Sequence, residues 1–175
     1  MSKETLNDLK TRRSCRKYLD RQITDEQLNE ILECGTYAPT GMGRQSPKMV
    51  VLQNKDDIKY VSGLNAEVMG NPDADPFYGA PTVIIVFADK NIRTYYDDGV
   101  LVMGNLLNAA HAVGVDSCYI YRAREVFNTE KGRALMKKWG LGENYEGIGN
   151  CILGFADEGG INPAKERKND YIIRV

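Results

Sequence analysis

Residues 98–120 read DGVLVMGNLLNAAHAVGVDSCYI. Asp97 and Asp98 put negative charge where a helix N-terminus favours it, and Gly114 suits a C-cap, so the spacing predicts a helix from about Asp97 to Val113. Val100, Leu101, Val102, Met103, Leu106 and Leu107 cover most of its circumference. A helix apolar nearly all round must be buried on several sides. In a chain of 175 residues, some of that burial is expected from a second subunit. The segment VDSCYIY that follows reads as a strand.

Upstream, PTVIIVFA (81–88) is apolar on both faces, as a central strand is. Thr24-Asp25-Glu26-Gln27 is a capping box that opens a helix with Leu28, Ile31 and Leu32 on one face. Leu6 and Leu9 mark a short first helix. A Gly-rich loop, PTGMGRQSP, leads into the strand KMVVLQ. Asn54 caps a helix to about Leu64, and residues 65–80 read as a loop. Downstream, Asn128 or Thr129 caps a helix through Leu135, Met136 and Trp139; GIGNCILGFA is a strand, and DYIIRV is a last β segment. With no repeat or linker, residues 1–175 are expected to form a single domain of α+β class, with helices flanking a small mixed β-sheet.

The 23 basic and 24 acidic residues leave a net charge of −1, and the pI is near 5.9. That balance argues against nucleic acid as the main partner. Cys15, Cys34, Cys118 and Cys151 lack metal-ligand spacing and there is one histidine, so no metal site is expected. The polar start MSKETLND and the short apolar runs suggest neither a signal peptide nor a membrane span. The chain reads as a cytoplasmic protein with free thiols.

Against this neutral background, five of the eight residues in KTRRSCRK (10–17) are cations. Forked guanidinium groups, a serine hydroxyl and backbone N–H groups suit a phosphate monoester; equally, cations at a helix end offset its dipole. Five cations beside Cys15 would lower a thiol pKa; the other cysteines read as small core residues. In APTGMGRQSPK, Gly41 and Gly43 allow close backbone approach to a flat ligand, while Thr40 and Gln45 offer hydrogen bonds. The segment also reads as an ordinary connecting loop, and it is not a P-loop. Lys165, Arg167 and Lys168 form a second cluster that either joins the first on one anion or is a solvated tail. His111 reads as structural, and the pairs Gly140/Gly142 and Gly147/Gly149 do not form a dinucleotide fingerprint.

Together and in order, these pieces resemble the FMN-dependent nitroreductase family over most of the chain. RRSCRKY resembles the family's Arg-x-Ser-x-Arg/Lys-x-aromatic motif, and APTGMGRQSPKMVVL its Ala-Pro-Ser-x-x-Asn-x-Gln-Pro-Trp segment. FYGAPTVIIV resembles the approach to its central strand, residues 98–120 its long interface helix and next strand, and Lys165-Glu166-Arg167 its C-terminal basic pair. Gly43 stands where Asn is usual, Ser46-Pro47 replaces Pro-Trp, and Tyr121-Arg122 occupies a position that is often glycine.

The resemblance implies an intertwined homodimer with FMN at the interface. Arg12, Arg13, Ser14, Lys165 and Arg167 would hold the phosphate, and Arg16 would sit near N1 and O2 of the ring. Thr40, Gly41, Gly43 and Gln45 would reach the other subunit's FMN; Tyr121 and Arg122 would face N5. The implied activity is ping-pong hydride transfer from NAD(P)H to a nitroaromatic, quinone or similar small oxidant, with no protein nucleophile. A same-fold enoate reductase or dehydrogenase, and a non-catalytic flavin-binding module, remain alternatives.

Overall fold

The computed structural model describes residues 4–175. In chain order the elements are α1 (Glu4–Thr11), α2 (Asp25–Thr36), a 3-10 turn (Gly41–Gly43), β1 (Pro47–Leu52), α3 (Lys55–Met69), β2 (Thr82–Asp89) and α4 (Tyr95–Ala112). They continue with β3 (Asp116–Ile120), α5 (Ala123–Phe127), α6 (Glu130–Lys138) and β4 (Tyr145–Gly154). No helix among the described residues is long and apolar enough to cross a membrane.

The four strands lie in the order β1-β2-β4-β3, and every strand pair is antiparallel. The mixed character expected from the sequence reduces to one isolated parallel bridge, Ser14 to Ser117. A strand shows alternate residues to opposite faces, so the doubly apolar β2 needs two cores. Val83, Ile85 and Phe87 pack on one side with residues of α3, α5 and α6, including Ile58, Val126 and Met136. Ile84, Val86 and Ala88 pack on the other with residues of α2 and α4, including Ile31, Met103 and Leu106.

The capping box at α2 is present: Gln27 N donates to Thr24 Oγ1 and Thr24 N to Gln27 Oε1, both at 3.1 Å. Thr129, rather than Asn128, caps α6. The helix expected to stop near Leu64 runs on to Met69, because Asn65 and Ala66 still face the interior and the left-handed Gly70 is its terminator. The loop begins only there. The short helix α5, absent from the sequence reading, follows directly on β3.

One expectation is corrected. DYIIRV forms no strand: Tyr171, Ile172 and Ile173 are exposed, and neither edge strand of the sheet, β1 nor β3, takes them up. Helix α4 buries Val102, Met103 and Leu106 but leaves Val100 and Leu101 uncovered within this chain.

Gly147 fixes how closely α5 sits on β4. A Cβ there would lie 2.6 Å from the Ala123 carbonyl oxygen and 3.1 Å from the Phe127 ring. In an ordinary strand, glycine to alanine is favourable by roughly 0.5–1 kcal/mol. Here the contact is with backbone, which cannot swing aside, and overpacking typically costs about 1–3 kcal/mol. Gly147→Ala is therefore expected to lower the denaturant midpoint; an unchanged or raised midpoint would show that α5 is free to move.

Candidate functional site

The basic stretch leaves α1 and runs alongside β3. Cys15 N donates to Ser117 O at 3.0 Å, Arg16 N to Gly160 O at 2.8 Å, and Cys15 pairs with Ile161. A salt bridge of 2.9 Å between Lys17 and Asp157 pins the far end. The cations then divide. Arg13 Nη1 donates to Lys10 O and Arg12 O at 2.8 and 2.7 Å, so this residue closes the end of α1, as the helix-end reading supposed. Arg16 is exposed, and its guanidinium has no partner among the described residues. Arg12 is half-buried, and its Nη1 is shut away from solvent without an acceptor among the described residues.

Cys15 overturns its expectation. Its side chain is fully buried and its Sγ donates to Lys17 O, so burial pushes the thiol pKa up despite the neighbouring cations. The charge of Asp116 adds to that rise. Arg16 and Lys17, the cations that flank Cys15 most closely on its C-terminal side, are exposed, and water screens their charge. Cys34, read as a core residue, is exposed. His111 is structural as read: its Nε2 lies 2.9 Å from Thr11 Oγ1, joining α4 to α1.

At the opposite end of β3, Tyr121 and Arg122 make the turn into α5. Tyr121 is four positions beyond Ser117, about 13 Å along a strand. Arg122 is held at φ 79°, a left-handed conformation that disfavours a side chain, and it caps α5. Asn65 Nδ2 donates to Tyr121 O at 3.0 Å, and Asn150 Nδ2 to Ile120 O at 3.2 Å. Behind the turn, Glu146 is nearly buried. It accepts from the Tyr95 hydroxyl at 2.7 Å and pairs with Arg124 at 3.3 Å. Burial would raise its pKa, but Tyr95 and Arg124 outweigh that and hold it below the usual glutamate range.

The Gly-rich loop is more ordered than a connecting loop requires. Met42, Gly43 and Gln45 all have positive φ, at 53°, 66° and 49°. Thr40 Oγ1 accepts from Gln45 N at 3.1 Å, and the loop is tied to Asp98 at the start of α4. Lys165 and Arg167 lie in the exposed tail, where Arg167 Nη2 donates to Lys165 O at 2.7 Å. No hydrogen bond or ion pair joins them to Arg12 among the described residues. Ile161 is nevertheless fixed beside Cys15, and the four residues on to Lys165 span at most about 14 Å.

Sequence reasoning missed Asn65, Ser117 and Asn150. Asn65 Oδ1, Ser117 Oγ and Asn150 Oδ1 are buried without partners among the described residues, like Arg12 Nη1 and Glu125 Oε2. A signal was available for Asn150, a lone amide inside the apolar run GIGNCILG. None was available for Asn65, whose partner Tyr121 is 56 positions away.

A family model described as Nitroreductase family matches residues 9–156, and the chain belongs to that family. A relative from Archaeoglobus fulgidus, provisionally named NADH dehydrogenase/NAD(P)H nitroreductase, is 31% identical over 95% of this chain and 94% of its own length. A nitroreductase from Bacteroides fragilis, solved with bound FMN, superposes with a TM-score of 0.91 at 27% identity, covering 99% of this chain and all of its own. An FMN-dependent nitroreductase from Clostridium difficile does so with a TM-score of 0.86 at 27% identity, with both chains fully covered.

The burial of Cys15, Cys118 and Cys151 makes a prediction. In the native protein these three should resist alkylation and should label only on unfolding, as read by mass spectrometry. Rapid native labelling of Cys15 would mean that the cations do activate it.

Proposed function

We propose that this chain is an NAD(P)H-dependent oxidoreductase that binds FMN and works as a homodimer. The observation that carries the reading is Arg12. Its Nη1 is buried without an acceptor among the described residues, two positions before Ser14, which bridges to Ser117, whose hydroxyl is likewise unpaired. Leaving a buried donor unpaired costs roughly 1–3 kcal/mol. A phosphate monoester would supply acceptors to both groups. At the other end of β3, the free oxygens of Asn65 and Asn150 would accept from N–H groups on the edge of a polar heterocycle. The residues present fit a molecule with a phosphate at one end and a flat polar ring at the other.

When bound, FMN supplies the two-electron chemistry at N5, taken from NAD(P)H and passed to a nitroaromatic, quinone or similar small oxidant in ping-pong order. The chain's own groups bind and orient. Arg12 and Ser14 hold the phosphate, Arg13 adds the guanidinium N–H groups it does not spend on closing α1, and Lys165 and Arg167 join when the tail folds over. Arg16 sets a cation against the N1–O2 edge, where negative charge gathers on reduction. Tyr121 and Arg122 present backbone to the N5 side. Thr40, Gly41, Gly43 and Gln45 touch the flavin of the other subunit.

Three features support a second copy. Within one chain the Gly-rich loop lines only a slot of about 130 Å³, small against the roughly 300–1,000 Å³ of ligand pockets. Val100 and Leu101 lie uncovered on α4, with Tyr37 and Met42 also bare. The tail carries exposed Tyr171, Ile172 and Ile173, and β1 is an edge strand of the sheet. A partner covers all three.

Two measurements test this. Charge-assisted hydrogen bonds are worth roughly 1.5–3 kcal/mol each, so FMN should bind at least about a hundredfold more tightly than riboflavin. The yellow protein should also bleach with anaerobic NADH or NADPH. Equal affinity for the two flavins would overturn the phosphate site, and a spectrum unmoved by either nicotinamide would favour a non-catalytic flavin carrier. Arg12→Ala should mainly weaken FMN affinity, whereas Arg16→Ala should lower the reduction potential of the saturated protein. About 30 mV corresponds to about 1.4 kcal/mol, so the loss of one contact is measurable. Identical potentials in wild type and Arg16→Ala would remove the ring-side role of Arg16.

A further inference from the structure

Asp98 is 2% exposed and has no cationic partner among the described residues. Its Oδ1 accepts from Gly41 N at 2.9 Å, and its Oδ2 from Ser46 Oγ at 2.7 Å and Thr94 Oγ1 at 3.1 Å. A buried carboxylate is tolerated only when its lone pairs are filled, and a site in the first turn of α4 adds the favourable end of the helix dipole. The two loop residues it grips, Gly41 and Ser46, bracket the stretch 42–45. That stretch contains the left-handed Met42, Gly43 and Gln45. Side chains at Met42 and Gln45 disfavour such backbone, so the conformation persists only where the surroundings impose it. Gly41 is also packed closely against the start of α4. It is seated so close that a Cβ there would overlap the Thr94 side chain, itself held by Asp98. Between the two anchors, Met42 to Gln45 are turned outward and exposed.

We propose that Asp98 is a positioning residue, a latch that holds residues 41–46 in a strained, outward-facing shape before a partner arrives, so that the loop meets the other subunit's flavin preformed. The proposal rests on the functional reading above. It differs from that reading in assigning the loop's geometry to a buried carboxylate on α4 that itself touches no ligand. It also accounts for Ser46, which stands where the family usually has proline: the hydroxyl is the second anchor.

The test uses the full-length dimer and three variants, Asp98→Ala, Asp98→Asn and Ser46→Ala. Asp98→Ala should weaken FMN and riboflavin by the same factor, at least tenfold, because the latch acts on the ring side. Arg12→Ala should weaken FMN alone. Asp98→Asn keeps an acceptor for Gly41 N and should restore part of the affinity. Ser46→Ala removes one anchor, should show the same flavin-independent loss in smaller degree, and carries the test if Asp98→Ala does not fold.

A mixed dimer separates a latch acting across the interface from a general loss of stability. One protomer carries Arg12→Ala and its partner Asp98→Ala. If the loop serves the other subunit's flavin, one site bears both defects and the other bears none, so half the sites bind FMN with wild-type affinity. If the loop acts within its own chain, every site bears one defect and no wild-type site appears; that result overturns the proposal. Wild-type FMN affinity in Asp98→Ala and Ser46→Ala also overturns it while leaving the functional reading intact. A wild-type protein that binds neither flavin removes both.

Discussion

The pairing of β2 with β4 puts two strands side by side that are buried over nearly their whole length and on both faces. Such a pair cannot exist at a surface. It requires a helical layer above and another below, and the two separate apolar clusters are the consequence. With α2 and α4 on one side and α3, α5 and α6 on the other, little freedom remains in where the connecting segments run. The edge strand β3 is left with one open side. That side receives the basic stretch, through the Ser14–Ser117 bridge and the hydrogen bond from Cys15 N to Ser117 O. The candidate site lies along the rim that results.

Polar groups in that rim are poorly satisfied by the chain itself. Buried groups normally find partners, and each orphan is worth roughly 1–3 kcal/mol of destabilisation. Here Ser117 Oγ lies on β3, Asn150 Oδ1 on its neighbour β4, Arg12 Nη1 just before the stretch that bridges to β3, and Asn65 Oδ1 beside the Tyr121 turn that follows β3; a fifth orphan, Glu125 Oε2, lies on α5 beyond that turn. Elsewhere the interior is well matched, as Glu146 with Tyr95 and Arg124 shows. Unpaired groups gathered in one place, with donors toward one end of a strand and acceptors toward the other, are what a prearranged ligand site requires. The left-handed Arg122 at the same strand end and the left-handed residues of the Gly-rich loop belong to this pattern, since strain gathers where function needs it.

Much was legible along the chain because it is local. Capping by Thr24, Asn54 and Thr129, the α2 face of Leu28, Ile31 and Leu32, and the double apolarity of β2 follow from neighbours within a few positions. The order of motifs was likewise sufficient to suggest the nitroreductase family. What the chain alone misjudged was environment. Cys15 sits among five cations in sequence, yet its thiol is buried and raised, because the cost of burying a thiolate outweighs the neighbouring charge. Helix α3 outran its expected end because tertiary burial of Asn65 and Ala66 outweighs the turn-forming composition that follows.

The sequence by itself determined the α+β class, most helix starts, the doubly buried strand and the presence of two basic clusters, since each depends on period, capping or composition over a short span. Only the tertiary structure decided that the sheet is antiparallel, that Arg13 closes a helix while Arg12 Nη1 is left unpaired, and that Asp98 grips a loop 57 positions away at one end and 52 at the other. These are long-range hydrogen bonds. Whether a carboxylate in a first turn faces water or a backbone N–H depends on which segment the rest of the fold delivers to it, and no local pattern encodes that delivery.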